Sequence, residues 1–317
     1  MNPVLYTLKS KSMISQNLKN VKGNEKNPKK ESLKDLIQYS SQKSGEVMIG
    51  NIDKEWNLKK MYWGIFMKKK EIIEILQMIE KDEDIEILYA CEAGSRAWGF
   101  ANENSDYDVR FIYKKLNVKD YLSLNVQSDV IEYTGDESDI VGWDIKKALN
   151  LHYKNNPNLR EWIMSREVYI DNGIDFMFSG LGGFEIDVLK NHYSSIAHKH
   201  WKKYCPLEFK EQKTKKYLHV IRSIVCWKLL NRDIYPPINL MELLCHDFIN
   251  LSDEIRNAII DLVDFHKGKG DLSERTVFIL NNFIMDSLSV MKTTKARSFK
   301  NVEDYDERFR ELLLVCR

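Results

Sequence analysis

The chain has 317 residues, of which 43% are hydrophobic and 30% charged, and its formal net charge is +1. This length allows one large domain or two smaller ones. The near-neutral balance argues against a protein that binds nucleic acid by overall charge, although it leaves a local basic face open. No apolar run approaches the roughly 20 residues of a membrane helix, and five scattered cysteines are typical of reduced thiols. We expect a soluble, cytoplasmic protein without membrane contact.

The N-terminal segment differs from the rest of the chain. "LKSKSMISQNLKNVKGNEKNPKKESLKD" is rich in Lys, Asn and Ser and poor in apolar residues, so it should not bury enough surface to fold. We expect residues 1–66 to be a disordered extension or to precede the natural start. Met67 opens a sequence that reads as the start of a compact domain. A chain beginning at Met67 is therefore expected to fold and to function.

Helix and strand signals alternate after Met67. Apolar residues recur at helical spacing over 72–79, and "DED" ends that helix. Apolar residues then alternate over 85–89, as in a strand. Gly94-Ser95 predicts a turn, "RAWGF" a short helix and "DYDVRFIY" a second strand.

The later part of the chain loses its strand signals. "DVIEY" and "DIVGWDI" are short strand candidates, and "KKALNLHYKN" predicts a helix that ends before Pro157. Beyond it, five segments carry apolar positions three or four residues apart. We therefore predict an α+β fold, with a mixed helix–strand domain at 67–170 and an all-helical domain at 171–317.

Two carboxylates lie on one face of the second predicted strand. Residues two apart in a strand point the same way, so Asp106 and Asp108 form a pair of like charges. Such a pair needs a compensating positive charge, and hard oxygen ligands suit Mg²⁺ or Mn²⁺. For a lone Asp-x-Asp, a solvated strand end is the more common explanation.

The turn upstream of this pair favours a functional site over a solvated strand end. Glycine lets backbone amides approach a phosphate, and Ser95 adds a hydroxyl donor beside Gly94 at a helix start. A phosphate-binding turn followed by a metal-binding carboxylate pair is a coherent arrangement for nucleotide chemistry.

"GSRAWGFANENSDYDVRFIY" resembles the Gly-Ser…Asp-x-Asp signature of the DNA polymerase β nucleotidyltransferase superfamily. It is similar in particular to a bacterial and phage family of predicted nucleotidyltransferases described as associated with RNA repair. "DIVGWDIKKALNLHYKNNPNLREWI", "HYSSIAHKHWKKY" and "KKYLHVIRSIVCWKLLNRDIYPP" extend the similarity from about residue 70 to 240. The resemblance implies a small mixed sheet flanked by helices, followed by a helical domain that closes over nucleotide.

The resemblance also implies roles for single residues. Gly94 and Ser95 match the phosphate-binding pair, and Asp106 and Asp108 match two metal-binding acids that hold two Mg²⁺ or Mn²⁺ ions. A third carboxylate from a neighbouring strand would act as base or complete a metal site. We favour Asp139, which heads "DIVGWDI". Asp144 remains the alternative, although it could instead cap the following helix.

Three further cations and three tryptophans have less certain roles. Arg96 and Lys216 are candidate nucleotide contacts. Arg110 shares the face of Asp108 and could neutralise the acids. Trp98, Trp143 and Trp162 are expected to pack rather than to stack on a base.

These features predict an enzyme that moves a nucleoside monophosphate from an NTP, such as ATP, to a hydroxyl and releases pyrophosphate. The acceptor could be an RNA end, a protein or a small molecule. The alternative is a partner-binding protein of a toxin–antitoxin or phage-defence pair with a vestigial nucleotide site.

Overall fold

The computed structural model describes residues 54–124, 128–135, 138–204, 209, 213–293 and 300–314. The predicted disorder over residues 1–53 lies outside the described part. Residues 54–66, which the sequence predicts to be in the same extension, belong to a helix that continues to Asp82. The described part of residues 61–317 forms one compact unit.

A mixed sheet of five strands forms the first half of the fold, as predicted. The strands are β1 (Ile85–Glu92), β2 (Tyr107–Lys115), β3 (Val130–Thr134), β4 (Ser138–Asp144) and β5 (Val168–Asp171). Their order across the sheet is β3-β4-β2-β1-β5. β2 and β4 are parallel, and the other neighbours are antiparallel. β5 was not predicted, because its four residues are too few for a clear alternation.

Helices flank this sheet and form the second half. They are α1 (Lys54–Asp82), α2 (Gly94–Ala97), α3 (Ile145–Tyr153), α4 (Pro157–Ile163), α5 (Ile174–Phe178), α6 (Ile186–Tyr204), α7 (Thr214–Leu230), α8 (Leu240–Leu244), α9 (Asp253–His266), α10 (Glu274–Val290) and α11 (Val302–Leu314). The fold is therefore α+β with a helical C-terminal part. Within the residues described, no helix has both the length and the apolar character needed to cross a membrane.

Each face of the sheet covers a separate core. Because strand side chains alternate, Val109 and Phe111 of β2 pack with Leu76 of α1 on one face. Ile112 faces the other way and packs with Leu149 of α3. Both ends of β2 are thereby fixed between two layers.

The helical half is organised around α7. Leu218, Ile221 and Val225 of α7 are fully buried, and side chains from α6, α9 and α10 surround them. A helix that is buried on most sides is typical of the centre of a bundle. Phe100, from the loop after α2, inserts into this same core.

Two elements of the predicted helical domain pack on the sheet instead. Ile174 of α5 and Tyr305 and Leu312 of α11 belong to the core under the second face of the sheet. The sequence could not reveal this, because an amphipathic helix carries the same apolar period whichever core it covers. The predicted division at residue 170 therefore does not separate the two cores.

A buried ion pair joins the two halves. Glu161 of α4 accepts hydrogen bonds from Arg222 Nη1 of α7 and the Tyr193 hydroxyl of α6, both at 3.0 Å. It also accepts one from Trp98 Nε1 at 2.9 Å. Burial alone would raise the pKa of Glu161, but Arg222 and these hydrogen bonds hold that pKa below its usual value. The carboxylate is therefore charged and fully paired.

We expect Glu161→Ala to lower the free energy of unfolding by about 3–5 kcal/mol, because it leaves the Arg222 guanidinium buried without its counter-charge. Tyr193→Phe removes one hydrogen bond to the same carboxylate and should cost about 1 kcal/mol. Urea denaturation followed by tryptophan fluorescence measures both. Equal losses in the two variants would contradict a role for the ion pair.

Candidate functional site

The register of two parallel strands brings two predicted acids together. β2 and β4 pair so that Asp108 lies directly beside Asp139. Both side chains project from the face opposite Val109, toward the helical half. The preference for Asp139 as the third acid rested on the sequence alone, and this neighbouring position agrees with it.

Arg110 binds both of these acids. Its Nη2 atom donates to Asp108 Oδ1 at 3.0 Å and to Asp139 Oδ2 at 2.8 Å. Its Nη1 atom donates to the carbonyl oxygens of Val109 and Asp139. Burial raises the pKa of Asp108, and the positive charges of Arg110 and Lys215 oppose that rise. The predicted neutralisation of the acids by Arg110 is confirmed.

Asp106 stands at the edge of this group. It precedes β2 and is exposed. Its charge also contributes to the raised pKa of Asp108, so the two carboxylates lie near each other. The Asp-x-Asp pair therefore has one member held by Arg110 and one open to solvent.

The Gly94-Ser95 turn rests directly on Asp108. Gly94 has φ +58°, and a Cβ atom built there would lie 1.8 Å from Asp108 Oδ2. The amide of Ala93, one residue earlier, donates to the Asp108 carbonyl oxygen at 2.8 Å. A side chain at position 94 would thus collide with the acid, so glycine is required here. Ser95 is buried and begins the turn of α2.

Glu92 holds the backbone of Asp108 from the other side. Its Oε1 accepts from the Asp108 amide at 3.0 Å, and its Oε2 accepts from the Tyr169 hydroxyl at 2.5 Å. Both backbone groups of Asp108 are therefore bound. Burial raises the pKa of Glu92 to about 6, although its hydrogen bonds with Tyr169 and Asp108 act to lower it.

Arg96 makes contacts different from those we predicted. Its guanidinium donates to the carbonyl oxygens of Ser105 and Asp106 and lies 3.8 Å from the centre of the Tyr107 ring. These contacts fasten the loop that leads into β2. Arg96 lines a second cavity beside Tyr107 and Tyr169, on the opposite side of α2 from Asp108.

A cavity of about 380 Å³ lies between the acids and the helical half. Gly94, Ser95, Asp108 and Arg110 form one wall. The remaining lining comes from Ala93, Ala97, Trp98, Val141, Trp143, Asn158, Glu161, Trp162, Lys215, His219 and Ile238.

The three tryptophans pack as predicted and also line this cavity. The rings of Trp143 and Trp162 stack with centroids 3.6 Å apart, and Trp98 is fixed by Glu161. His219 meets Trp98 edge to face at 4.8 Å. Burial and neighbouring cations lower the pKa of His219 to about 3, so this ring is neutral. The cavity therefore has an apolar, aromatic wall in addition to the Gly94-Ser95 turn and the acids, as is common in small-molecule sites.

Lys215 reaches this cavity, whereas Lys216 turns toward α6. Lys215 lies in the cavity lining, near enough to act on the pKa of Asp108. Lys216 Nζ lies 5.0 Å from the centre of the Tyr204 ring. Lys216 is therefore not part of the lining, and the adjacent lysine faces the acids in its place.

Asp144 forms its hydrogen bonds away from Asp108 and Asp139. Its Oδ1 accepts from the Lys146 amide and caps α3, and its Oδ2 accepts from the Tyr121 hydroxyl, both at 2.8 Å. It lies at the far end of β4, in register with Tyr113. The capping role considered for Asp144 is confirmed.

The acids fit a divalent cation by their chemistry. Among the residues described, no three His, Cys, Asp or Glu side chains are grouped closely enough to hold a metal ion. Asp108 and Asp139 instead share one positive charge, the Nη2 atom of Arg110. Carboxylate oxygens are preferred ligands of Mg²⁺ and Mn²⁺, and in this structure the Arg110 guanidinium occupies the position between the two acids.

Three residues of the site were not found from the sequence. Glu92 ends an apolar strand, and its one signal is a charge at an otherwise buried position. Glu161 lies in a short helix that resembles a surface helix. Lys215, His219 and Arg222 lie at positions i, i+4 and i+7, on one face of the helix. This spacing could have indicated that Lys215, rather than Lys216, faces the cavity.

Comparison with known proteins gives two findings. Residues 67–314 match the model of a family described as the RNA repair pathway DNA polymerase beta family. The chain is also 38% identical over 181 residues to YcgL of Bacillus subtilis (strain 168), a protein described as uncharacterized. That similarity covers 56% of this chain and 68% of YcgL.

The burial of Glu92 predicts a pH-dependent stability. Its pKa rises from 4.5 to about 6 on folding, so the native state binds the proton more tightly than the unfolded chain. Relative to Glu92→Gln, we expect the wild-type free energy of unfolding to fall by about 2 kcal/mol as the pH rises through this range. Urea titrations across the range measure it. Tyr169→Phe should enlarge the fall, and parallel curves for wild type and Glu92→Gln would refute the assignment.

Proposed function

Because the chain belongs to the RNA repair pathway DNA polymerase beta family, we propose that it is a metal-dependent nucleotidyltransferase that acts in the cytoplasm. It transfers a nucleoside monophosphate from an NTP to a hydroxyl and releases pyrophosphate. The observation that carries this proposal is the in-register pair Asp108 and Asp139, with the Gly94 turn packed against Asp108.

Different residues of the cavity have different roles in this reaction. The Gly94-Ser95 turn binds the triphosphate through its backbone and the Ser95 hydroxyl. Lys215 neutralises the phosphate tail from the opposite wall, and the aromatic side chains receive the base. Predicted contacts from Arg96 and Lys216 gain no support from the geometry.

Asp106, Asp108 and Asp139 would hold two Mg²⁺ or Mn²⁺ ions. When bound, such ions neutralise the phosphate oxygens and make the attacking hydroxyl more acidic. Asp139 accepts the proton of that hydroxyl as general base or completes one of the ion sites. A new bond forms between the acceptor oxygen and the α-phosphorus, and the bond from this phosphorus to the bridging oxygen breaks.

The acceptor we favour is RNA, in agreement with the family description. A protein or small-molecule hydroxyl would use the same residues. The Arg110 bridge favours a second candidate function, since an arginine that already occupies the acids is compatible with nucleotide binding without transfer. The chain would then be a partner-binding protein, for example of a toxin–antitoxin or phage-defence pair.

Incubation with labelled ATP, CTP, GTP or UTP, Mg²⁺, and bulk RNA or cell extract separates these candidates. We expect label transfer by the wild type and its loss, by on the order of a hundredfold or more, in Asp106→Ala. Nucleotide binding without transfer to any acceptor would favour the partner-binding protein. Mass spectrometry of the labelled product identifies the acceptor.

A second experiment tests the third acid. Asp139→Asn removes a charge from the site and should abolish turnover. Asp144→Asn keeps a side chain that caps helices well, so we expect turnover within about twofold of wild type and a stability loss of about 1 kcal/mol. The two variants are assayed side by side for metal-dependent transfer. Loss of turnover only in Asp144→Asn would reverse the assignment.

A further inference from the structure

A cluster of lysines lies outside the cavity, where the end of α6 meets the start of α7. Lys203 Nζ and Lys216 Nζ lie 4.8 Å and 5.0 Å from the centre of the Tyr204 ring. In the part of the chain that the structure describes, neither these lysines nor Lys215 forms an ion pair with a carboxylate. Within the described residues, the charges of Lys203 and Lys216 therefore have no carboxylate partner at ion-pair distance.

This placement is electrostatically unfavourable for the folded chain. The first turn of α7 contains Lys215 and Lys216 and no acidic residue, although cations are disfavoured at the start of a helix. The same lysines, together with burial, lower the pKa of His219. His200 shows the same effect, with Lys216 and Lys203 adding to its burial. Residues that are unfavourable for local structure, such as lysines at the start of a helix, are often found at functional sites.

The lysine cluster is continuous with the cavity. Lys215 and His219 line the cavity from α7. Lys216 follows Lys215 on the side that faces α6, and the His200 and His219 rings meet between the two helices at 5.7 Å. The cluster therefore adjoins the cavity through the consecutive residues Lys215 and Lys216 and through the contact between His219 and His200.

We propose that Lys203 and Lys216 bind the phosphodiester backbone of a single-stranded RNA acceptor whose end reaches the acids. This proposal rests on the proposed function, which requires a hydroxyl acceptor. Two lysines beside one aromatic ring are typical of surfaces that bind single strands, through phosphate contacts and base stacking. The residues proposed to bind the triphosphate, Gly94 and Lys215, lie inside the cavity instead.

The sheet supplies a matched control. Lys81 and Lys119 are exposed, and they lie at the end of the sheet away from Asp108, where Ile85 pairs with Lys115. Replacing either pair with glutamine changes the net charge equally. Only the position of the lost charges differs.

Fluorescence anisotropy of a short, labelled single-stranded RNA tests the proposal on the full chain without NTP, at several salt concentrations. We expect Lys203→Gln/Lys216→Gln to weaken binding on the order of tenfold and to reduce the slope of log K against log salt by about 1.4. Lys81→Gln/Lys119→Gln should bind like the wild type.

Three outcomes would overturn this assignment. They are an equal loss in both double variants, an absence of RNA binding at low salt, and a loss of NTP binding in Lys203→Gln/Lys216→Gln with RNA binding intact. Asp106→Ala should bind RNA normally. The protein could also transfer no nucleotide while its RNA binding still depends on Lys203 and Lys216. That result would reject the proposed enzymatic activity and support the proposed RNA-binding surface.

Discussion

Two carboxylates in register on neighbouring parallel strands repel each other, and Arg110 is the residue that keeps them there. Its guanidinium binds Asp108 and Asp139 at once and also holds the carbonyl oxygens beside them. Glu92 and Ala93 bind the amide and carbonyl of Asp108. The protein alone therefore orients both acids. Arg110 would have to release them before they could hold a metal ion.

The turn and the strands of the site could be predicted, because their signals are local. Alternation over "DYDVRFIY" gives the strand and places Asp106 and Asp108 on one face, and Gly94-Ser95 marks the turn. The pairing of β2 with β4 is not local. The sequence therefore leaves Asp139 and Asp144 as alternatives. In the structure Asp139 lies beside Asp108, and Asp144 caps the following helix.

Contacts between distant segments account for what the sequence did not reveal. The sequence predicts a phosphate contact for Arg96 because it follows the turn, and the structure shows its contacts with the loop before β2. The sequence favours Lys216, and in the structure Lys215 lines the cavity while Lys216 lies near Tyr204. The Glu161 carboxylate depends on partners from three other elements. The spacing of residues within one segment cannot reveal these contacts, because they form only when the helices pack.

The contact between Gly94 and Asp108 ties two positions together in evolution. Any residue larger than glycine at 94 would need a shorter side chain at 108, and that change would delete the acid. Position 94 can therefore accept a larger residue only after Asp108 has been replaced, whereas Gly94 leaves position 108 free to change. A lineage that changed both positions would record the order of events, because the replacement at position 94 would come second.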